Sequence, residues 1–226
     1  FNGHSEMTNV VSFSPDGQQV LTGGGSDTGG GGNTVRLWDA STGNALRRFE
    51  GHLGDVKFVA FSPDGLQVVS RSWDGTTRLW KASTGEELCR LIGFDDGTWA
   101  VIDSEGRFDA AKGGDVEGLH WVVGNEPIAL NQLKERYYDP GLLAKYMGFK
   151  KEPLRDVAAF REVKLFPEVK LAAPTAEKVE LGIHLTNRGG GIGKVVVRVN
   201  GKEVTAGARG PRAESDAPTL DLKIDL

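Results

Sequence analysis

The sequence has little of what marks several large classes of protein. Its 226 residues include a single cysteine, Cys89, which excludes an internal disulfide and a metal site built on paired cysteines. No apolar run approaches the roughly 18 residues of a membrane-spanning helix, and no charged and then apolar secretion signal opens the chain. The net charge is −4, with acidic and basic residues interspersed. We therefore expect a cytoplasmic protein that binds neither membranes nor nucleic acid.

Glycine, by contrast, is abundant. The 32 glycines lie mostly beside Asp, Ser, Asn and Thr, a pattern typical of all-β proteins with many tight turns. Hydrophobic residues make up 38% of the chain, which is enough for packed cores. The composition therefore favours a globular, mainly β protein over a helical bundle.

The chain contains an internal repeat. The first copy runs from GH at position 3 through VVSFSPDGQQVLTGG to TVRLWDASTGNALRRF, and the second from GH at position 51 through VKFVAFSPDGLQVVSRS to TTRLWKASTGEELCRL. Trp38 and Trp80 are 42 residues apart, whereas the two SPDG blocks are 48 apart. The difference is one insertion, the glycine-rich segment 23–33, which replaces the short turn at 73–75 of the second copy.

Each copy is predicted to form four short strands. In each copy, a run rich in β-branched and aromatic residues precedes Pro-Asp-Gly, which supplies a fixed φ, a turn bonded by a side chain and a position that accepts positive φ. The predicted strands are 10–13, 18–22, 35–38 and 46–49 in the first copy, and 56–61, 67–70, 77–80 and 88–91 in the second.

A 42-residue unit that opens with Gly-His and carries a tryptophan near its third strand resembles the WD-repeat family. The resemblance covers residues 1–92 and implies two blades of a β-propeller, each a four-stranded antiparallel sheet. A partial third blade is expected from position 93, with its first strand at 98–102.

The same resemblance implies a buried hydrogen-bond network in each blade, joining a histidine, a serine or threonine, an aspartate and the third-strand tryptophan. The second copy has matching residues in His52, Ser70 or Ser72, Asp74 and Trp80. Because a buried polar group must be hydrogen-bonded, we interpret them as structural and not as metal ligands or catalysts.

The first copy keeps His4 and Trp38 of this network. Its aspartate is displaced into the glycine-rich insertion, where Asp27 is the candidate. We therefore expect the first blade to be less tightly fixed than the second.

The sequence changes character after the repeats. In segment 113–160, Asn125 favours the start of one helix, an Asp-Pro pair at 139 the start of another, and Gly148 its end. This predicts a linker with a short helical hairpin, whose aromatic and apolar face packs on a neighbouring domain.

Strand-like alternation returns towards the end of the chain, where Asn200-Gly201 predicts a two-residue hairpin. We interpret this region as an immunoglobulin-like β-sandwich, incomplete in its visible strands. These strands are predicted at 163–165, 179–185, 195–199, 204 and 220–224. The fold class is thus mainly β, with domains at 1–112, 113–160 and 161–226.

The composite of propeller, RFDA, EPIALNQLKERYYDPGLLAKYMGF, PLRDV and TNRGGGIGKVVVRVNGKEV resembles bacterial WD-repeat proteins that carry a caspase-like peptidase domain. It implies a larger protein whose peptidase uses a Cys/His dyad. Cys89 and His120 lack that family's local motif and chain order, so Cys89 is interpreted as a buried strand thiol.

Other candidate sites fail on their context. The glycine-rich segments at 23–33 and 188–194 lack the Gly-Lys-Ser/Thr ending and following helix of a phosphate-binding loop. An acidic, turn-rich patch lacks calcium-loop spacing, and we interpret it as solvated turns; it comprises Asp95, Asp96, Asp103, Glu105 and Asp109. We therefore predict no cofactor, no metal ion and no catalytic residue.

The turns of the two blades carry arginine and aromatic residues, which are enriched at interface hot spots. The candidate partner contacts are Trp73, Arg71, Arg78, Arg36 and Lys57. Trp73 is the preferred contact, and the alternative is that it packs on the adjacent blade.

Three hypotheses about function follow. The first is a non-enzymatic protein-interaction scaffold, and the second is the sensing or regulatory portion of a caspase-like peptidase. The third is an autonomous hydrolase using the acidic patch, for which no supporting base or acid can be named. Because two blades leave open edges and an apolar face, we also expect self-association or contact with further sequence upstream.

Overall fold

The computed structural model describes residues 7–25, 33–123, 126–157, 165–172, 180–188, 192, 198–199, 202–203 and 217–225. The chain divides into two compact units, Phe1–Ala159 and Phe160–Leu226. Both are built from antiparallel strands, so the mainly β fold predicted from the sequence is confirmed. Residues 113–159, which the sequence analysis separated from the repeats, belong to the first unit.

The two sequence repeats form two sheets of consecutive antiparallel strands, and all eight predicted strands are present. Blade 1 consists of β1 (Met7–Phe13), β2 (Gln19–Gly25), β3 (Val35–Asp39) and β4 (Ala45–Phe49). Blade 2 begins with β5 (Val56–Phe61), β6 (Gln67–Ser72), β7 (Thr76–Lys81) and β8 (Glu87–Gly93).

The first hairpin of each blade is closed by its SPDG block. The Asp16 carboxylate accepts hydrogen bonds from the Ser14 hydroxyl at 2.6 Å and from the Gln18 N–H at 3.0 Å. Gly17 takes the left-handed conformation, with φ of 70°, which a side chain would disfavour. The second copy repeats these contacts, so the two hairpins follow from local sequence alone.

The main core lies between the two blades. Leu21, Leu37 and Phe49 of blade 1 pack against Val59, Val68 and Trp80 of blade 2. The Phe49 and Trp80 rings meet edge to face, with centroids 5.8 Å apart. The first unit is therefore organised by packing of sheet on sheet, as in neighbouring propeller blades.

The prediction of a partial third blade is wrong. The strand expected at 98–102 exists as β9 (Trp99–Ile102), but it pairs with β8, and β10 (Phe108–Ala110) pairs with β9. A tight turn explains this: the Phe94 N–H donates to the Thr98 carbonyl at 3.0 Å, and Gly97 has φ of 79°. A hairpin this short returns the chain to its own sheet, so blade 2 has six strands.

The predicted helical hairpin is partly wrong. Residues expected to open the first helix form β12 (Glu126–Ala129), which pairs with β11 (His120–Val123). Pro127 disfavours helical φ and ψ at the residue before it, and pairing with β11 supplies the strand's hydrogen bonds. Asn125 lies outside the described residues. A 3-10 turn (Leu130–Leu133) and a single helical turn, α1 (Lys134–Tyr137), follow.

The second predicted helix is present as α2 (Leu142–Tyr146). Leu142 is fully buried against Leu79, Cys89 and Val101 of blade 2. The Gln67 side chain adds a hydrogen bond of 2.6 Å to the Tyr146 carbonyl. The apolar face of this helix therefore packs on the neighbouring sheet, as expected.

The second unit contains one three-stranded antiparallel sheet of β13 (Leu165–Ala172), β14 (Glu180–Arg188) and β17 (Thr219–Asp225). Ile183, Leu185, Leu220 and Leu222 form its core with Ile192. Two short strands, β15 (Arg198–Val199) and β16 (Lys202–Glu203), pair across positions 200–201, which confirms the predicted hairpin. The immunoglobulin-like sandwich stays a prediction.

The contact between the blades depends on a glycine in β2. A Cβ at Gly23 would lie 2.7 Å from Val56 Cγ1 of blade 2, closer than packed atoms allow. We predict that Gly23→Ala lowers the free energy of unfolding by about 1–3 kcal/mol through overpacking. Urea denaturation followed by tryptophan fluorescence measures this, because all five tryptophans lie in the first unit.

Gly93 provides the matched control for this substitution. It also lies in a strand, but nothing is within 4 Å of a Cβ built there. Gly93→Ala should leave the urea midpoint unchanged, and an equal shift for both variants would contradict a close contact at Gly23.

Candidate functional site

The predicted network of blade 2 is present and is centred on His52. His52 Nδ1 lies 2.9 Å from Asp74 Oδ2, and His52 Nε2 lies 2.8 Å from Ser70 Oγ. Trp80 Nε1 donates to the same Ser70 oxygen at 2.8 Å. Because an ionised carboxylate only accepts, the His52 proton is on Nδ1, facing Asp74 Oδ2. The unprotonated Nε2 of the neutral ring then accepts the Ser70 hydroxyl proton.

Asp74 joins this network to the surrounding backbone. Its Oδ2 accepts the Leu53 N–H at 2.9 Å. Its Oδ1 accepts both the Thr76 N–H at 2.9 Å and the Thr76 hydroxyl at 2.7 Å. The carboxylate thus fixes the segment entering blade 2 and the turn between β6 and β7 at the same time.

The sequence left Ser70 and Ser72 as alternatives, and the structure separates them. Ser70 is the network member, whereas the Ser72 hydroxyl donates to the Gly54 carbonyl at 2.7 Å and accepts the Asp74 N–H at 3.1 Å. The two side chains differ because Ser70 faces blade 1 beside Trp80, while Ser72 stands at the end of β6. Ser72 therefore links the β6–β7 turn to the segment before β5.

Burial and hydrogen bonding set the charges of the network. Burial lowers the pKa of His52 and outweighs the opposing effect of the Asp74 hydrogen bond and charge. Burial alone would raise the pKa of Asp74, but hydrogen bonds from Thr76, the Leu53 N–H and His52 bring its pKa well below the usual range. At neutral pH the pair is therefore a neutral imidazole on a carboxylate.

Arg78, predicted as a partner contact, is instead a buried structural residue. It is 4% exposed, and its Nη1 lies 2.8 Å from Glu87 Oε2. Its guanidinium also lies over the Trp80 ring, 5.9 Å from the centroid. The prediction is wrong because the cross-strand carboxylate, which the repeat pattern does not reveal, holds the arginine against the sheet.

In blade 1 the described residues show the tryptophan contact of the same network. Trp38 Nε1 donates to Thr22 Oγ1 at 2.7 Å, so Thr22 takes the place of Ser70. Sequence reasoning missed Thr22, although aligning VLTGG with VVSRS identifies it. His4 and Asp27 lie outside the described residues. Arg36, another predicted partner contact, is half-buried beside Trp38, with its guanidinium 6.0 Å from the ring centroid.

Four side chains form a surface beside the β6–β7 turn, named here the Trp73 patch: the half-buried Lys57 and the exposed Phe58, Arg71 and Trp73. Trp73 is 73% exposed, which contradicts the alternative that it packs on an adjacent blade. Lys57 Nζ lies 4.3 Å from the centre of its ring and 3.0 Å from Asp55 Oδ2.

The rest of the patch comes from neighbouring strands. Phe58 and Arg71 are directly opposite each other on β5 and β6, and both are exposed. The sequence analysis missed Phe58, because the register of β5 shifts between Val56 and Phe58 and turns this side chain outward. In the part of the chain that the structure describes, no hydrogen bond or ion pair engages the Arg71 guanidinium.

The backbone below this patch is held in place. The Trp73 N–H donates to the Asp55 carbonyl at 3.0 Å, and Ser72 and Asp74 on either side are bonded as described above. A Cβ at Gly54 would lie 2.9 Å from the Asp74 nitrogen, so the two segments touch. The buried network therefore fixes the position of the exposed tryptophan.

The other candidate groups are engaged elsewhere. Cys89 is buried, which raises the pKa of its thiol to about 12 and makes it a poor nucleophile. Asp103 binds Arg107 at 3.0 Å and accepts the Tyr146 hydroxyl at 2.9 Å, and Asp109 accepts the Gly141 N–H at 2.7 Å. Over the described ranges, no cluster of three or more His, Cys, Asp or Glu side chains could hold a metal ion.

None of the helices in the described residues is both long and apolar enough to pass through a membrane.

Loss of the Ser70 hydroxyl should test the network directly. Ser70→Ala leaves His52 Nε2 and Trp80 Nε1 buried without their shared partner, and we predict a loss of about 1–3 kcal/mol in the free energy of unfolding. Urea denaturation measures it. Ser83→Ala on an exposed turn is the control. If Ser70→Ala had the same urea midpoint as this control, the assignment of Ser70 as the shared partner of His52 and Trp80 would be wrong.

The network should also make the first unit less stable in mild acid. Because the folded pKa of His52 is lowered from 6.5, the unfolded chain takes up this proton first, and stability falls as the pH drops from about 7 to about 5. Urea midpoints across this range should decline less in His52→Gln than in the wild type. Equal slopes would contradict the lowered pKa.

The family model described as "WD domain, G-beta repeat" matches residues 1–39 and 43–81. These two segments contain strands β1 to β7 and the hydrogen bonds of Trp38 and Trp80 described above. No curated protein matches the chain, and the association with a caspase-like peptidase stays a prediction. Residues 1–39 and 43–81 of this chain are therefore two WD40 repeats, similar to those of the WD-repeat family.

Proposed function

We propose that this chain is a protein-interaction scaffold whose contact surface is the Trp73 patch. WD40 repeats generally mediate binding between proteins. The observation that carries the proposal is a 73% exposed tryptophan on a turn held by the His52 network. An exposed ring in a fixed position loses little conformational entropy on binding, so more of its contact energy appears as affinity.

The chemistry of the patch indicates what its partner presents. Trp73 and Phe58 offer apolar surface, and tryptophan and arginine are the residues most enriched at interface hot spots. The Lys57 charge is balanced by Asp55, whereas no ion pair among the described residues engages Arg71. The partner is therefore a protein surface with an apolar side chain and a nearby carboxylate, which forms a charge-assisted bond with Arg71.

A non-catalytic role in the cytoplasm is part of this proposal. The buried thiol of Cys89 supports the non-catalytic role, as do the structural contacts of Asp103 and Asp109. The same interaction surface would serve the second hypothesis, a regulatory portion of a caspase-like peptidase.

The test removes the exposed ring and measures partner recovery. The tagged full chain is used to recover proteins from the source cell, and each recovered protein is then titrated against purified variants. We predict that Trp73→Ala weakens the binding of at least one partner by about 30-fold, the effect of losing roughly 2 kcal/mol at a hot spot. The urea midpoint should not change, because the ring is exposed.

Leu66→Ala is the matched control. Leu66 is also well exposed in blade 2, but it lies on the SPDG turn at the other end of the sheet. Partners that bind both variants as tightly as the wild type would show that the Trp73 patch is not the contact surface.

A further inference from the structure

The two blades leave a cleft between them at the end opposite the Trp73 patch. Its volume is about 370 Å³, which is at the small end of the range of roughly 300–1,000 Å³ for ligand sites. Both blades contribute to its lining, which includes Gln19, Leu37, Leu46, Arg47, Leu66 and Ala82. A cleft of this size admits a few side chains but not a folded domain.

Much of the cleft surface is apolar. Leu37 and Ala82 are buried and belong to the core between the blades. Leu46 of blade 1 and Leu66 of blade 2 are 46% and 66% exposed. Because covering exposed leucines removes apolar surface from water, a ligand with an aliphatic group is favoured here.

Contacts between the blades fix the width of the cleft. A Cβ at Gly65 would lie 3.7 Å from Pro15 Cδ, and one at Gly85 would lie 3.1 Å from Arg47 Cδ. The Arg47 Nη1 group also donates to the Thr84 carbonyl of blade 2 at 3.1 Å. The cleft is therefore preformed, so little ordering of the protein opposes binding.

Arg47 brings a positive charge to the cleft, and among the residues that line it Arg47 alone is charged. Its guanidinium bonds to the neutral Thr84 carbonyl, and its Nε is buried without a hydrogen-bond partner. No carboxylate in the described part of the chain pairs with it. Because a guanidinium forms its strongest hydrogen bonds with carboxylates, the cleft favours an acidic group beside an aliphatic one.

The second repeat shows what covers the equivalent side chains of blade 2. The counterparts of the three cleft residues on β3 and β4 are Leu79, Leu88 and Cys89. All three pack in one cluster with Leu142 of α2, which is fully buried. A leucine from another segment of the chain therefore covers this part of the repeat in blade 2.

A glutamine on the second strand completes the comparison. The Gln67 side chain donates to the Tyr146 carbonyl at the end of α2. Gln19 is its counterpart in blade 1, and no described residue hydrogen-bonds to the Gln19 side-chain amide. Gln19 is therefore available to a backbone carbonyl of a ligand, while Arg47 in place of Cys89 adds a requirement for negative charge.

We propose that this cleft is a second binding site, which takes a segment of a partner protein with a leucine or similar aliphatic residue next to an aspartate or glutamate. The aliphatic side chain lies between Leu46 and Leu66, the carboxylate binds Arg47, and the Gln19 amide donates to a backbone carbonyl. The open walls favour a protein segment over a small molecule, since small-molecule sites bury most of the ligand surface.

The experiment selects peptide ligands and sorts them with variants. A phage-displayed library of random short peptides is selected on the immobilised full chain. Selected peptides are labelled with fluorescein and titrated against purified variants by fluorescence anisotropy. Arg47→Met removes the charge and keeps an unbranched side chain to contact Gly85.

Arg48→Met is the matched control, because it removes the same charge from the next residue of β4. Arg48 is exposed, points to the opposite face of the sheet and pairs with Glu50 at 2.9 Å. Urea midpoints of all variants, compared with the wild type, show that each one folds.

The expected result is a set of peptides that combine an aliphatic residue with aspartate or glutamate and bind Arg47→Met about tenfold more weakly than the wild type. Arg48→Met should bind them as the wild type does. Leu46→Ala and Leu66→Ala should weaken the same peptides, whereas Trp73→Ala should not. Ligands of the Trp73 patch should respond in the opposite way, so Leu66→Ala remains the control for that surface.

Two results would overturn the proposal. If the selection yielded no peptide that distinguishes Arg47→Met from Arg48→Met, the cleft would not be a site for acidic segments. If the peptides that depend on Arg47 bound Leu46→Ala and Leu66→Ala as tightly as the wild type, they would occupy a surface other than the cleft.

Discussion

The position of His52 between Asp74 and Ser70 is the constraint on which the first unit depends. Both imidazole nitrogens are buried, and an unsatisfied one would cost about 1–3 kcal/mol. Meeting this requirement brings together the segment before β5, the end of β6 and the β6–β7 turn. The same contacts place Trp80 in the core between the blades and Trp73 on the surface. One buried histidine thus couples the packing of the blades to the exposed surface proposed for binding.

Close approach of backbones is the second requirement, and it distinguishes the two repeats. Gly23 and Gly25 let β5 lie against β2 with its Val56 and Asp55 side chains in place. Arg71 and Trp73, at the same positions of the second repeat, change a packing face into a polar and aromatic one. The bond from the third-strand tryptophan to a hydroxyl on the second strand recurs in both blades, whereas these few side chains decide what lies beside each blade.

The strands of both blades could be predicted because their turns are local: Pro-Asp-Gly closes each first hairpin through contacts within five residues. Arg78 could not be predicted, since its partner Glu87 lies on the next strand and faces it only after β7 and β8 pair. The prediction of a third blade was wrong for a similar reason. A strand-like run gives no sign of which sheet it joins, and the short turn at Gly97 decided it. Ser70 and Ser72 lie two residues apart on β6 and therefore on the same face of the sheet. Their roles differ because Ser72 is the last residue of the strand.

At blade 2, further elements cover both the edge strand and the apolar face of the sheet. An exposed edge strand offers unpaired N–H and C=O groups, and an exposed sheet face offers apolar side chains. Pairing of β9 and β10 supplies partners along the edge of β8, and α2 covers the apolar side chains beyond it. No described element does the same for β1. Full burial of side chains such as Val11 and Phe13 contributes about 1.5–3 kcal/mol each, so the exposed face of β1 lacks the stabilisation that α2 gives to blade 2.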